Sequence, residues 1–366
     1  LAGIERVVHE IATGLAELDD DLDVHVVFAT HYADDLLVET RYTKHVLRVE
    51  RLRRLAGGLR ACVAANDFDV LVVPQVEASV IAWLATRGLR LPVFVTHLHG
   101  NPRIEEAEGT RRTRAAFAVF RRVIARRIAA VLAVSPSLGA FAATEIAPRT
   151  PVHVLKNPMR ELTAAPREDG EGLLRLLSVG RLSRQKGQDI LMRALAIARP
   201  DLPRVHLTLV GNGPEEPVLR ALCTDLGLDD IVTFAGYVAD PADHFRSADC
   251  FVLPSRWEGF GMVVLEALHF GLPVLAADCE FGPGDVVTEQ AIGELVAPDS
   301  PTALAEGLRN VADGGCGADH LAEVRRRAVA TEYGRAAVAE THITALRQIV
   351  ASRPGLAPHL AAFVEV

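Results

Sequence analysis

The chain has 366 residues, 49% of them hydrophobic, 5% aromatic and 23% charged, with a formal net charge of -8. Single cores stop growing near about 250–300 residues, so this length predicts two domains. The acidic balance and the scarcity of aromatic rings argue against a nucleic-acid partner, and the short, interrupted apolar runs exclude a membrane-spanning helix.

Leu1-Ala2-Gly3 runs straight into a helical pattern over Ile4–Leu18. A parallel-sheet domain ordinarily opens on a strand, so native residues are expected before Leu1; no secretory signal is read there. Val24–Phe28 reads as a strand. A basic stretch follows, with seven cations and one acid, Glu50, between Arg41 and Arg60. Then come a helix over Leu52–Ala64, strand Val70–Val73, helix Glu77–Arg87, strand Val93–Thr96, an amphipathic helix over Thr113–Ala129, strand Ala130–Val134, a helix opened by Ser135-Pro136, and strand Val152–Leu155. Seven arginines and no acid lie between Arg111 and Arg127, a face that could meet anionic lipid or a phosphate-bearing acceptor or simply be solvated. Strands alternating with helices predict a mostly parallel sheet.

Residues 161–172, rich in Pro, Glu, Asp and Gly, read as an interdomain linker. A second series follows: strand Leu173–Val179, helix Gly187–Ala198, strand Val205–Val210, helix Glu215–Leu226, strand Val232–Ala235, helix Ala242–Ser247, strand Phe251–Leu253, a helix from Met262, strand Val274–Ala277, and later helices including His320–Thr331 and Ala336–Val350. The fold class is therefore α/β, with two Rossmann-like parallel-sheet domains facing a cleft. Cys62, Cys223, Cys250, Cys279 and Cys316 are odd in number and have no metal-ligand spacing, so buried free thiols in a reducing cytoplasm are expected.

Ligands of such sheets bind beyond the carboxyl ends of the strands, and four strand ends carry chemistry. The first is Gly180-Arg181 with Lys186-Gly187, where two cations can neutralise a diphosphate, one through a rigid fork and one as a mobile charge. The second is Gly211-Asn212-Gly213, where glycine permits close backbone approach; Tyr237-Val238 after the next strand could meet a base. The third is Glu258-Gly259-Phe260-Gly261-Met262, an acid and two glycines opening a helix whose free N–H groups favour an anion. Glu266 lies about two turns along that helix. The fourth is His97-Leu98-His99-Gly100 in the first domain, with His99 the stronger candidate. Asp67-Phe68-Asp69 and Asp21-Leu22-Asp23 spell a metal-binding pattern but precede their strands, so no metal site is expected.

Taken together, Gly180-Arg181, Lys186-Gly187, Gly211, Gly213 and Glu258 through Glu266 resemble the retaining glycosyltransferases of family 4, with GT-B fold. Gly3-Ile4-Glu5-Arg6 is similar to the surviving part of that family's first glycine-rich loop, GG-x-E-R, with Ala2 where the family has its first glycine. Thr96 through Asn101 resembles its histidine loop, and Cys279 through Val287 resembles a loop of members that build surface or lipid-linked glycans.

The resemblance implies an acceptor domain over 1–160, the linker over 161–172, a nucleotide-sugar domain over 173–335, and a C-terminal helix and tail over 336–366 packing back on the first. It implies that Arg181 and Lys186 bind the donor diphosphate, that Gly180, Gly211, Gly213, Tyr237 and Val238 line the donor, and that Gly259, Phe260, Gly261 and Met262 hold sugar and phosphates by their backbone. Glu258 would contact sugar hydroxyls, Glu266 the ribose, Gly3 the diphosphate, and His99 the reacting centre. The catalytic set is His99, Arg181, Lys186 and Glu258. The implied activity is transfer from a nucleoside diphosphate sugar, UDP- or GDP-linked, to a glycan or lipid-linked hydroxyl, with the anomer retained and with neither metal nor cofactor. The expected location is cytoplasmic, with peripheral contact at the inner membrane face. A phosphorylase or sugar-nucleotide hydrolase, and a noncatalytic sugar-nucleotide-binding assembly protein, are the alternatives on the same scaffold.

Overall fold

Apolar runs of four to six residues become strands here because helices cover both faces of each sheet, so every position can be buried. The computed structural model describes residues 3–29, 39–49, 52–66, 68–89, 93–160, 162, 172–314, 321–352 and 363–364. Its strands are β1 (His25–Phe28), β2 (Thr43–Val46), β3 (Val70–Pro74), β4 (Val93–Leu98), β5 (Ala130–Ala133), β6 (Val152–Val154), β7 (Leu174–Val179), β8 (Val205–Val210), β9 (Val232–Gly236), β10 (Cys250–Leu253), β11 (Val274–Ala277), β12 (Gly293–Val296) and β13 (Phe363–Val364). All of β3, β4, β5, β10 and β11 is buried.

One sheet has seven strands in the order β2-β1-β13-β3-β4-β5-β6, and the other has six in the order β12-β11-β10-β7-β8-β9. Every pairing is parallel. The chain divides into two compact units, Leu1–Arg160 with Tyr333–Val366, and Glu161–Glu332. The expected linker lies, apart from Leu162 and Gly172, outside the described residues. Both units are parallel α/β sheets, as the alternation of apolar runs predicts.

The first unit is completed by the end of the chain. Helix Ile4–Leu18 is buried at every position from Val7 to Leu15, and its apolar residues Val7, Val8, Ile11, Ala12 and Leu15 have the spacing of an amphipathic helix. Helix Arg335–Ala351 packs beside it, so closely that a Cβ on Gly14 would lie 2.9 Å from Arg335 Cγ. Arg335 donates through Nε and Nη2 to Glu10 Oε2 at 2.9 and 2.8 Å. The returning segment of this unit begins at Tyr333; Met159 N–H donates to the Tyr333 carbonyl at 2.8 Å and the Lys156 ammonium lies 4.7 Å from the Tyr333 ring centre.

Four local expectations change. The basic stretch contains β2, an edge strand with exposed Thr43 and Lys44 and no apolar alternation to announce it. The long helix expected over Thr113–Ala129 is instead Arg111–Val119, widening into a π turn over Phe120–Ile124. In the α-helical part Phe117 is in the core, while Ala115 and Val119 face outward. Helix Pro102–Glu108 was not anticipated, although Asn101 caps it, accepting from the N–H groups of Arg103 and Ile104, with proline at its first turn, the pattern favoured at helix starts. Strand β12 was also missed.

Arg335→Ala should destabilise the first unit. Glu10 is only 5% exposed, and a carboxylate that loses a partner at such a site is left poorly solvated, a cost of about 2–3 kcal/mol after allowing for the partial exposure of the arginine. Urea unfolding followed by circular dichroism should show this loss, with Glu10→Gln/Arg335→Met recovering part of it.

Candidate functional site

Reading across the second sheet, β7 is the first strand in the chain; β8 and β9 follow on one side of it, and β10, β11 and β12 on the other. The order therefore reverses between β7 and β10, the position where open α/β sheets leave a crevice beyond the strand ends. The loops leaving β7 and β10 hold most of the expected donor residues. Lys186 closes the first loop and Glu258 lies in the second. They meet: Lys186 Nζ is 2.6 Å from Glu258 Oε1. Ser255 Oγ donates to the same oxygen at 2.6 Å. Glu258 is 4% exposed, so its charge has little water and depends on these two donors. Cys279 sits close enough that burial, followed by the Glu258 charge, pushes its thiol up to about 12; it stays protonated near neutral pH.

Two glycines let these loops approach. Gly187 has φ +67, and a Cβ there would overlap the Pro254 carbonyl, so the turn ending at Lys186 can rest on the end of β10 only without a side chain. Gly211 and Gly213 follow β8, and Cβ atoms on them would overlap the carbonyls of Gly180 and Leu182. Their packing is against the β7 loop; Leu182 N–H also donates to the Asn212 carbonyl at 2.9 Å. Gly180 lies under the Lys186 side chain, with Cδ and Cε 3.6 Å from where its Cβ would be.

Arg256, which the sequence reading left without a role, ties the two loops together. Its Nη1 and Nη2 donate to Asp189 Oδ1 and Oδ2 at 2.8 Å each, Nη1 also donates to the Arg184 carbonyl at 2.9 Å, and Nε donates to Asp299 at 3.0 Å. Its backbone N–H donates to the Gln185 carbonyl at 2.8 Å, and Gln185 Nε2 returns a bond to the Trp257 carbonyl at 3.0 Å. Burial pushes the Asp189 carboxyl up, but the Arg256 hydrogen bonds and charge outweigh it and hold it below its ordinary value. The Arg184 guanidinium lies 5.5 Å from the Trp257 ring centre. The only sequence signal for this brace was an arginine three residues after a strand end, which looks the same as a solvated one.

The other expected residues of this unit surround the braced loops. Arg181 is exposed, and its guanidinium has no partner among the described residues. Gly259 and Phe260 are buried, and Gly261, at φ +86, precedes helix Met262–His269. Glu266 is half-buried on that helix, whose Val264, Leu265, Ala267 and Leu268 face the core. Tyr237 is 69% exposed after β9, with Val238 half-buried beside it.

Gly3 and His99 belong to the first unit. Gly3 precedes helix Ile4–Leu18 at φ +60. His99 follows β4; its ring lies 3.9 Å, centre to centre, from that of His97, and His97 lies 6.0 Å from His342 of helix Arg335–Ala351. Burial and the nearby His342 push His99 down to about 3, and burial pushes His342 down to about 4. Neither ring nitrogen of His99 has a partner among the described residues. A neutral His99 can donate or accept a hydrogen bond near pH 7 but cannot act as a cation. Sequence reasoning had no signal for His342, more than 240 residues away.

The basic face is less free than its composition implied. Arg121 is bidentate to Glu106, with Nη1–Oε1 at 2.7 Å and Nη2–Oε2 at 2.6 Å. Arg112 is 3.5 Å from Glu77, and Arg87 and Arg127 lie over the Trp83 ring at 5.3 and 5.8 Å. Among the described residues no helix is long and apolar enough to cross a membrane, and no group of three His, Cys, Asp or Glu is arranged to hold a metal ion. Asp67 lies outside the described residues.

Two family models match the chain: glycosyl transferases group 1 over residues 161–333, and a glycosyl transferase 4-like domain over residues 2–158. A lipopolysaccharide core biosynthesis glycosyltransferase, LpsE, of Rhizobium meliloti is 30% identical over 179 residues, covering 49% of this chain and 50% of that protein. The chain spans about half, or less, of the length of the curated relatives it matches. Among solved structures, sucrose-phosphate synthase of Thermosynechococcus elongatus superposes with TM-score 0.80 at 21% identity, covering 96% of this chain and 94% of that one. HepE of Anabaena, in complex with UDP and glucose, superposes with TM-score 0.76 at 22% identity, covering 95% and 96%.

Arg256→Ala should loosen both loops and cost about 2 kcal/mol of stability, since a bidentate charged pair is lost from a partly buried site. The Asp189 carboxyl is depressed in the folded state, so its contribution is present above the unfolded value, about 4, and is lost as pH falls through the folded one. Thermal melts of wild type and variant should therefore differ most near neutral pH and converge as pH falls through the depressed Asp189 value.

Proposed function

This chain belongs to the group 1 glycosyl transferases, with a 4-like first domain and the GT-B fold, and on that footing we propose that it moves a sugar from a nucleoside diphosphate donor to a hydroxyl of a glycan, with anomeric configuration retained and without a metal. The observation that carries this reading is the Lys186–Glu258 pair at 2.6 Å, set where the sheet order reverses. A mobile cation and a buried carboxylate stand side by side at the place where a sugar phosphate needs one of each. A UDP-linked donor is favoured by the HepE complex with UDP and glucose. A glycan or lipid-linked acceptor is favoured by the resemblance to LpsE.

In this reading Arg181, free in solvent, captures the diphosphate, and Lys186 turns from Glu258 toward it. Glu258, relieved of the ammonium, accepts hydrogen bonds from sugar hydroxyls while Ser255 keeps its other support. The backbone from Gly259 to Met262 offers N–H groups to sugar and phosphate, and Glu266 accepts from the ribose. The bond between the anomeric carbon and the diphosphate oxygen breaks, leaving negative charge on the diphosphate opposite the two cations. The acceptor oxygen bonds to the same face of the anomeric carbon, and its proton passes to that phosphate oxygen. Fixed donors of this kind act most strongly where charge develops. His99 contributes as a neutral hydrogen-bonding group. The work is placed at the inner face of the cytoplasmic membrane, with exposed Arg111, Arg122 and Arg126 meeting anionic lipid or acceptor phosphate.

Arg181→Ala and Lys186→Met should each lower kcat by about a hundredfold or more, the loss of about 3–4 kcal/mol of transition-state stabilisation expected for one well-placed donor. Initial rates with a panel of UDP- and GDP-sugars and a lipid-linked acceptor, in excess chelator, should match those with magnesium restored. Near-wild-type turnover in both variants would remove the diphosphate assignment, and an enzyme dead in chelator would remove the metal-free one.

A further inference from the structure

Gln75, at the end of β3, is held in a conformation that side chains avoid, with φ 64 and ψ 160. This region of backbone space is essentially reserved for glycine, and another residue stays there only where its surroundings over-determine it. The surroundings of Gln75 do so. Its N–H donates to the His97 carbonyl at 2.9 Å, and its own carbonyl accepts from Ser79 N–H at 3.1 Å and Ser79 Oγ at 2.7 Å. The side-chain oxygen accepts from the His99 N–H at 3.3 Å, and the side-chain nitrogen donates to Glu105 Oε1 at 3.0 Å. Every polar group of this one residue is engaged, and two of the bonds grip the backbone on either side of Leu98.

The next residue in that loop shows how tightly the arrangement is built. A Cβ on Gly100 would overlap Glu105 Oε1 and lie 2.7 Å from Gln75 Nε2. Glu105 and Gln75 therefore cover the turn directly after His99. Desolvation, and then the charge of Glu77, push the Glu105 carboxyl up to about 7, so near neutrality both its charged and uncharged forms are populated, and either can accept from the amide. The His97 and His99 rings, meanwhile, have three nitrogens without partners among the described residues. With no hydrogen bond at those nitrogens, ring packing and the backbone that carries the rings orient them, and past the end of β4 Gln75 bonds to that backbone at the His99 N–H.

We infer that Gln75 is a positioning residue: strained at the end of β3 and anchored by Glu105, it sets the backbone from His97 to Gly100 and so aims the neutral His99 ring. The inference rests on the reading that His99 works at the reacting centre. Strain retained at a residue whose own N–H and side-chain oxygen both bond to one loop's backbone is explained if the loop's geometry is what is being held.

The test combines amide hydrogen exchange with kinetics. Gln75→Gly relieves the backbone and removes both side-chain bonds. Its melting temperature should stay level or rise, while exchange at the His99 and Gly100 amides speeds at least tenfold. With the UDP- or GDP-sugar that wild type consumes fastest, kcat should fall at least tenfold and donor KM should stay within twofold. Gly100→Ala should do the same by wedging Glu105 and Gln75 apart. Glu105→Gln, which keeps an acceptor oxygen, should stay near wild type in both readouts, and Glu105→Ala should not. Unchanged loop exchange in Gln75→Gly overturns the inference, whatever the kinetics. Faster exchange with unchanged kcat, alongside a His99→Gln variant that also turns over normally, overturns instead the placing of His99 at the reacting centre, and the positioning role with it.

Discussion

A carboxylate as deeply buried as Glu258 cannot stand alone: removing an ion from water costs several kcal/mol even after the protein relaxes. Lys186 and Ser255 supply what water would have supplied, at 2.6 Å each. The pair spans two loops that leave neighbouring strands β7 and β10 and are far apart in sequence. Joining them fixes both loops over the reversal of the sheet, so the proposed donor site would be organised before any ligand arrives. The same pair can be rearranged by a ligand, because a phosphate can take the ammonium and sugar hydroxyls can take the carboxylate. An electrostatic site that is already ordered loses little in reorganisation when charge develops.

Around that pair the second unit is assembled to keep the loops from drifting. Gly187 lets one turn sit on the end of β10, Gly211 and Gly213 let the β8 loop sit on the β7 loop, and Arg256 binds Asp189, Asp299 and the Arg184 carbonyl at once. Arginine suits this position because its planar fork can satisfy a carboxylate bidentately and still reach a carbonyl, which a lysine cannot do. Arg181 is left exposed beside this frame. The first unit shows the same design in neutral form: Gln75 holds the histidine loop through backbone bonds, and burial keeps the rings uncharged.

The fold was legible because parallel strands buried on both faces must be short apolar runs, and such runs at Val70–Val73, Phe251–Leu253 and Val274–Ala277 need no partner information to be recognised. Sheet order was not legible, since it depends on which strands pair. The candidate loops could be singled out because Gly, Arg, Lys and Glu at strand ends are chemically unusual, and the structure brings Lys186 and Glu258 of two of them together. What stayed hidden was support from a distance. Arg256 and Asp189 are 67 positions apart, His342 returns on the last long helix, and Gln75 carries no mark in sequence of its left-handed backbone. No residue between 113 and 129 marks the π turn at Phe120–Ile124, and Ile124 and Ile128 are buried as an amphipathic helix would have them. Edge strand β2 lacked the alternation that would have announced it, since its neighbours are charged.

The claim on which the account turns is that Lys186 leaves Glu258 for a donor diphosphate, with no metal between them. The ³¹P spectrum of uridine diphosphate or guanosine diphosphate, titrated with the protein in excess chelator, tests it most directly. The account predicts that at least one of these ligands shows both phosphorus signals shifting and saturating with wild type, and that Lys186→Met reduces the shift of the terminal phosphorus far more than that of the inner one. No shift with wild type for either ligand, shifts that appear only when magnesium is restored, or equal shifts in the variant would contradict it.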